Sequence, residues 1–345
     1  MSTPRYCCPE CFDDRHLRRQ LIPTFSKLTG DCSYCGANAQ PLVEPIALRE
    51  QFELIIGIYK RDTVGKTLVE FLKEDWTLFG RLDLAHAKEL LSDILDDGEI
   101  VRAKFNPVTE RTAKGLADWT NLRIELMHSN RYFPTTNLDF EDLRDLLPHL
   151  LLDQADLSQK WYRARIQASE AAIAAAEMGA PPPKLASHGR ANPAGIPYLY
   201  VASTPDTAIS EVRPHGGDFV SVAEIELSPD LKIVDLRHPR KTVSPFMLPD
   251  SQAVAKMCED VQFLERLGEE LTRPILPKSA AFDYIPSQFL CEFAKKCGFD
   301  GVMYRSSVDG GVNLAVFDPS KGKVLSVSAH SISRVMVQFQ VYKAT

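Results

Sequence analysis

The sequence predicts an α+β protein in three zones. Three observations carry that reading: two Cys-x2-Cys pairs near the start, helix-spaced apolar residues after them, and short alternating strands interrupted by helices over the remainder. The zones are a four-cysteine zinc ribbon (1–42), an all-α middle domain (43–155) and a mixed α/β C-terminal domain (156–345). A chain of 345 residues suits two or three domains at roughly 100–200 residues each. Its 44% hydrophobic and 25% charged content is that of a globular chain with a sizeable core. A net charge of −6 excludes a surface that attracts nucleic acid everywhere. No apolar run approaches the ~20 residues a membrane helix needs, so no membrane role is expected. The opening MSTPRYCCPECFDD has no apolar signal segment, and a cytoplasmic location is expected.

Five of the eight cysteines, Cys7, Cys8, Cys11, Cys32 and Cys35, fall within the first 35 residues, whereas Cys258, Cys291 and Cys297 are scattered through apolar stretches. Cys8-x2-Cys11, a 20-residue gap and Cys32-x2-Cys35 form two chelating turns. Four thiolates complete a tetrahedral zinc and leave no position for water, so the site reads as structural. Cys7 is a spare that the x2 spacing sets aside, and Gly36 supplies the turn after the second pair. The intervening DDRHLRR is mildly basic; it reads as a solvated face, with nucleic-acid contact left open.

In the middle zone EPIALREQFELIIGIYK, DLAHAKELLSDILDD (with Asp83 as N-cap) and TNLDFEDLRDLLPHLL space their apolar residues as helices do. LRIELMHSNRYFP places Arg123 and His128 at an R-x4-H spacing. That is the ribonuclease motif of the HEPN helical family; alternatively His128 and Arg131 brace the Tyr132-Phe133-Pro134 turn.

In the last zone WYRARI alternates, with Trp161, Arg163 and Arg165 on one side. SEAAIAAAEMG reads as a short helix ended by Gly179 and the prolines after it. YLYVA, FVSVAEIEL, LKIVDL, GVMYR, VNLAVFD and RVMVQFQVY read as strands; TPDTAISEV, a segment near 250–270 and PSQFLCEFAKKC read as helices. Thr204 and Pro205 suit the N-cap and first position of TPDTAISEV, which sets Glu211 beside an apolar helix face. A carboxylate there needs partners. Candidates are Arg163, Arg165, Arg190 in the GRANPAGIPYLYVAS loop, Tyr198, Tyr200, Ser306, Ser307 and Asn313. Guanidinium forks suit pyrophosphate, aromatic faces suit flat rings, and a carboxylate suits ribose hydroxyls and an oxocarbenium-like centre. No G-x-G-x-x-G precedes a helix, so hydride transfer on a Rossmann scaffold is not supported.

WYRAR, GRANPAGIPYLYVAS, TAISEV, DYIPSQ and FDGVMYRSS with a downstream Asn together resemble the RES domain family, over roughly 156–340. The resemblance implies a fold similar to ADP-ribosyltransferases and a toxin that destroys NAD at the nicotinamide–ribose bond by hydrolysis or phosphorolysis, in a toxin–antitoxin or antiphage setting. The first two zones resemble the zinc-ribbon and HEPN-like extension of one RES subgroup. Carried over, the catalytic residues are Arg163, Glu211 and Ser306, and the NAD-binding residues are Arg190, Tyr200, Arg165, Ser287 and Asn313. Arg165 is a near alternative to Arg163, and Ser287 to Ser306. The family loop commonly has Trp where this chain has Ala191, which implies a thinner pocket wall. Expected ligands are NAD as substrate and zinc as a structural ion. An antitoxin or inhibitor protein and a second copy of the chain are open as partners. The competing readings are ADP-ribosyl transfer to a protein or nucleic acid, a helical ribonuclease using Arg123 and His128, and a non-catalytic zinc-ribbon adaptor for nucleic acid.

Overall fold

The computed structural model describes residues 4–108, 114–136 and 138–336. They divide into two compact units, Met1–Asn121 with His238–Arg266, and Leu122–Arg237 with Leu267–Thr345. In chain order the first unit begins with α1 (Ile22–Phe25) and a small antiparallel pair, β1 (Leu28–Gly30) and β2 (Gln40–Leu42). Helices α2 (Arg49–Ile56), α3 (Leu68–Trp76) and α4 (Leu84–Leu95) follow. Their ends are locally encoded. Thr67 and Glu70 form a capping box on α3, and the Asp83 carboxylate accepts the His86 N–H on α4. On α4 the face Ala87, Leu90, Leu91, Ile94 is buried, as its spacing predicts.

This zone is not helical throughout. β3 (Tyr59–Lys66) pairs with β4 (Phe105–Pro107). Most of β3 is exposed and polar, so no apolar alternation marks it; the pairing is set by Phe105, distant in sequence. The chain continues through α5 (Lys114–His128) and α6 (Phe140–Leu146), the latter capped by Asp139.

The second unit is built on a seven-stranded sheet. Its strands are β5 (Lys160–Ile166), β6 (Leu199–Ala202), β7 (Phe219–Leu227), β8 (Ile233–Asp235), β9 (Gly301–Arg305), β10 (Val312–Val316) and β11 (Gly322–Ser331). The order is β11-β7-β5-β6-β10-β9-β8, antiparallel except for β8 beside β9. Helix α7 (Pro205–Glu211) follows β6. Further along the chain, α8 (Pro239–Thr242) and α9 (Ser251–Thr272) as far as Arg266 belong to the first unit, and α10 (Ala280–Asp283) and α11 (Ile285–Lys296) to the second. Strand alternation sorts two apolar faces. Trp161, Leu199, Val201, Ile225 and Leu314 build the larger core. Ala164, Ala202, Val220 and Val222 meet Ala208 of α7 on the other side.

One feature of pairing positions the site. β5 pairs with β7 over seven residues but with β6 only at Tyr162 and Ala202. The sheet therefore parts between β5 and β6, while β6 stays fully paired with β10.

One sequence expectation fails here, and another falls mostly outside the described residues. SEAAIAAAEMG is not a helix; only Ala175–Glu177 makes a single 3-10 turn. Helix propensity in so short a run is weak, and tertiary contacts override it. The Ile173 N–H bonds Ser221 Oγ at 2.9 Å, Arg165 Nη2 donates to the Gly179 carbonyl at 2.8 Å, and Met178 is wholly buried in the larger core. Of RVMVQFQVY, Arg334–Met336 have no regular structure and the rest lies outside the described residues. The strand before it, β11, was not expected: it is an exposed edge rich in Ser and without a clean apolar period.

Met178→Ala should lower unfolding stability by about 2–5 kcal/mol, whereas Leu185→Ala, at a side chain 74% exposed, should stay within about 0.5 kcal/mol. Denaturant titration of the two variants compares them; equal effects would mean the Ala/Pro segment is not part of the core.

Candidate functional site

A cavity of about 480 Å³ opens on the α7 side of the sheet, within the 300–1,000 Å³ usual for small-molecule sites. Arg163, Arg190, Tyr200, Glu211, Tyr284 and Asn313 are among its walls. Each is positioned by a different element.

Arg163 reaches the cavity where β5 and β6 part. Its Nη1 donates to the Tyr200 carbonyl at 2.9 Å, a β6 acceptor that no β5 amide meets once the strands diverge. Among the described residues no carboxylate pairs with Arg163. Burial, aided by the like charge of Arg165, pushes its guanidinium down to about 10, so it remains cationic at neutral pH.

Glu211 ends α7, whose start is fastened by the Thr204 cap and by Thr207 Oγ1 donating to Asp309 Oδ2 at 2.6 Å. One carboxylate oxygen is held twice. Ser306 Oγ donates to Glu211 Oε1 at 2.7 Å and Asn313 Nδ2 donates at 2.6 Å. Ser306 Oγ also accepts the N–H groups of Val308 and Asp309, each at 3.2 Å. Its single proton is therefore directed to Glu211, and among the described residues both donors meet the same carboxylate oxygen.

The Gly189–Asn192 loop is built around Asn192, 4% exposed. Asn192 Nδ2 donates to the carbonyls of Ser187, Pro193 and Ile196, and its Oδ1 accepts from Tyr200 Oη at 2.7 Å. Tyr200 Oη in turn accepts the Ala191 N–H at 2.9 Å. Burial raises the Tyr200 phenol above its ordinary value, so it stays protonated and able to donate. A side chain at Gly189 would collide with both Asn192 Oδ1 and Tyr200 Oη, which explains the glycine. From α11, Ser287 Oγ donates to the Arg190 carbonyl at 2.6 Å and Gln288 Nε2 to the Gly189 carbonyl at 2.8 Å. Thus fixed, Arg190 sends Nη1 to the Arg273 carbonyl at 2.8 Å and Nη2 to Ser307 Oγ at 3.3 Å, with Cζ 5.3 Å from the Tyr284 ring centroid.

The structure thus brings Arg163, Arg190, Tyr200, Glu211, Ser306 and Asn313 together. Two expected ligand-binding residues stand elsewhere. Arg165 shares its side of β5 with Arg163 but lies away from the gap, and donates to the Gly179 carbonyl. Ser287 is wholly buried behind the loop. Ala191 is also fully buried, so it forms no cavity wall to be thinned. Tyr284, Tyr304 and Arg213 line the cavity and were not singled out from sequence. Arg213 follows Glu211 by two residues and adopts φ 51°, an uncommon conformation for a bulky side chain; that signal is conformational and invisible in composition.

The four cysteines form a second site. Cys8 Sγ lies 3.5 Å from Cys35 Sγ and Cys11 Sγ 3.3 Å from Cys32 Sγ, all four sulfurs within 4.8 Å of one another. Tetrahedral zinc with Zn–S near 2.3 Å needs sulfur separations of roughly 3.8 Å, so the set fits a metal ion. Cys7 points away, toward the Val43 carbonyl, and Gly36 turns at φ 71°.

Fold and site define a mixed α+β protein with a cavity lined by two guanidiniums and a carboxylate. The family comparison is specific: the RES domain model matches residues 160–337, and the chain belongs to the RES domain family, whose toxins are NAD-acting enzymes. No curated protein matches the chain. Among solved structures, a chain of the M. tuberculosis MbcT–MbcA toxin–antitoxin complex is similar at 16% identity and a TM-score of 0.32, covering 56% of this chain and 94% of that one. No helix among the described residues is long and apolar enough to cross a membrane.

Cys11→Ser should lose the bound metal measured by elemental analysis, while Cys7→Ser should keep one equivalent. Equal metal content in both variants would contradict the ligand set.

Proposed function

We propose that this chain cleaves the nicotinamide–ribose bond of NAD and acts as a toxin. The observation that supports it most is the Glu211 carboxylate, anchored through one oxygen by Ser306 and Asn313 with the other free, in a cavity whose arginines Arg163 and Arg190 have no carboxylate partner among the described residues. Charges of both signs stand there without neutralising one another, as a ligand bearing both signs requires. NAD carries a cationic nicotinamide and an anionic pyrophosphate.

In this reading Arg163 and Arg190 hold the pyrophosphate, a geometry guanidinium forks suit. Tyr200 and Tyr284 present ring faces. As the C–N bond breaks, its electron pair leaves with nicotinamide and positive charge develops at the ribose carbon. Glu211, preorganised by two donors, stabilises that charge without having to reorient. Water or phosphate then bonds to the same carbon, and with water one proton is released. Ser306 serves as a carboxylate holder, since its proton is committed to Glu211. The cysteine site would hold zinc as a structural ion, with no open position for catalysis.

Glu211→Gln should lower kcat by about 10²–10³, and Ser306→Ala or Asn313→Ala by about 10–100-fold, the scale of one hydrogen bond to a charged group. Nicotinamide release measures all three; a Glu211→Gln chain as fast as the parent would sink the assignment. Since Arg163 loses its charge as pH rises through about 10, KM for NAD should stay flat below that pH and climb above it. A climb already complete by neutral pH would assign the effect to another group.

A further inference from the structure

The R-x4-H pair of α5 is taken up by contacts to one wall of the cavity. Arg123 Nε lies 3.3 Å from Glu270 Oε1, and Arg273 Nε lies 3.3 Å from Glu270 Oε2. Glu270 is 1% exposed, and the guanidiniums beside it offset the cost of burying its charge. Arg273 stands just beyond the end of α9, where the helix leaves carbonyls without intrahelical partners. Its carbonyl accepts Arg190 Nη1 at 2.8 Å, and its Nη2 donates to the Asp283 carbonyl at 2.9 Å. One arginine thus links the buried carboxylate, the α10 segment and the cavity arginine.

The second member of the pair grips the same wall further on. His128 sets its ring edge-on against Phe282, centroids 5.1 Å apart. Between the two grips lie Ile275 and Ala280, and two residues past the second lies Tyr284, all cavity walls, with the Tyr284 ring packed under Arg190. The expectation that His128 and Arg131 brace the following turn gives way to a different arrangement. Asn130 holds that turn, accepting the Phe133 N–H at 3.2 Å, and just after it Glu125 accepts the N–H groups of Thr135 at 2.7 Å and Thr136 at 2.9 Å. His128 is left to the cavity wall.

We infer that Arg123 and His128 are positioning residues for ligand binding. They hold residues 270–284 in place, and through Arg273 they aim the Arg190 guanidinium at the pyrophosphate. This inference rests on the NAD reading above. It assigns the pair a task in the NAD site where the sequence motif suggests RNA cleavage.

The test is calorimetric binding of NAD and of nicotinamide riboside, which lacks the pyrophosphate, to full-length chains carrying Glu211→Gln to prevent turnover. Arg123→Ala and His128→Ala should each weaken NAD about tenfold and leave nicotinamide riboside unchanged. Arg123→Lys, which keeps a cation beside Glu270, should recover most of the loss. Should Arg123→Ala fail to fold, His128→Ala carries the comparison, because its contact is a single ring edge. Unchanged NAD affinity in the alanine variants, or equal weakening of both ligands, overturns the inference while leaving the NAD reading standing. Absence of NAD binding to the otherwise unaltered chain overturns that reading and this inference with it.

Discussion

A sheet that parts between two neighbouring strands is the constraint on which the cavity depends. β5 follows β7 for seven residue pairs and touches β6 at one. The divergence frees the Tyr200 carbonyl, and a buried carbonyl needs a donor. Arg163 supplies it with one nitrogen and thereby places a cation in the gap. Desolvating a guanidinium without a carboxylate is costly, which its lowered pKa reflects. The fold accepts that cost at a place where an anion would relieve it.

The carboxylate side follows an opposite logic. Glu211 is at the end of a seven-residue helix that would be marginal alone. It is made rigid from outside, by Thr207 bonded to Asp309 and by two donors from Ser306 and Asn313 on the β9–β10 hairpin. The same short loop therefore fixes both the helix and the carboxylate it carries. On the facing side Asn192 and Tyr200 shape the Gly189–Asn192 loop, and α11 anchors it from behind. Most hydrogen bonds at the site hold functional groups in place, which is what electrostatic preorganisation demands.

What could be read from sequence was what is locally encoded. Alternation located five of the seven strands in full. The Thr204–Pro205 start located α7, and with it Glu211. The cysteine spacing identified the four clustered sulfurs and set Cys7 aside. Long-range geometry was not legible. Arg163 and Arg165 are equivalent by pattern, yet the gap in the sheet brings one to the cavity and the Ala/Pro segment takes the other. Ser287 and Ser306 are both polar residues near the loop, but only topology tells the loop anchor from the carboxylate holder. The Ala-rich run followed Met178 into the core instead of its own propensity, and Arg213 entered through a backbone conformation. For Arg123 and His128 the sequence shows a spacing, and only the fold shows the contacts with Glu270 and Phe282.

In the proposed function an anchored carboxylate, in a cavity with two arginines that have no carboxylate partner among the described residues, breaks the nicotinamide–ribose bond of NAD. Product analysis of NAD incubated with the purified full-length chain, with and without added phosphate, tests it most directly. The account predicts free nicotinamide in both cases, with ADP-ribose from water or a phosphorylated ADP-ribose from phosphate. NAD recovered intact under both conditions, or consumed with its nicotinamide still joined to ribose, would contradict it.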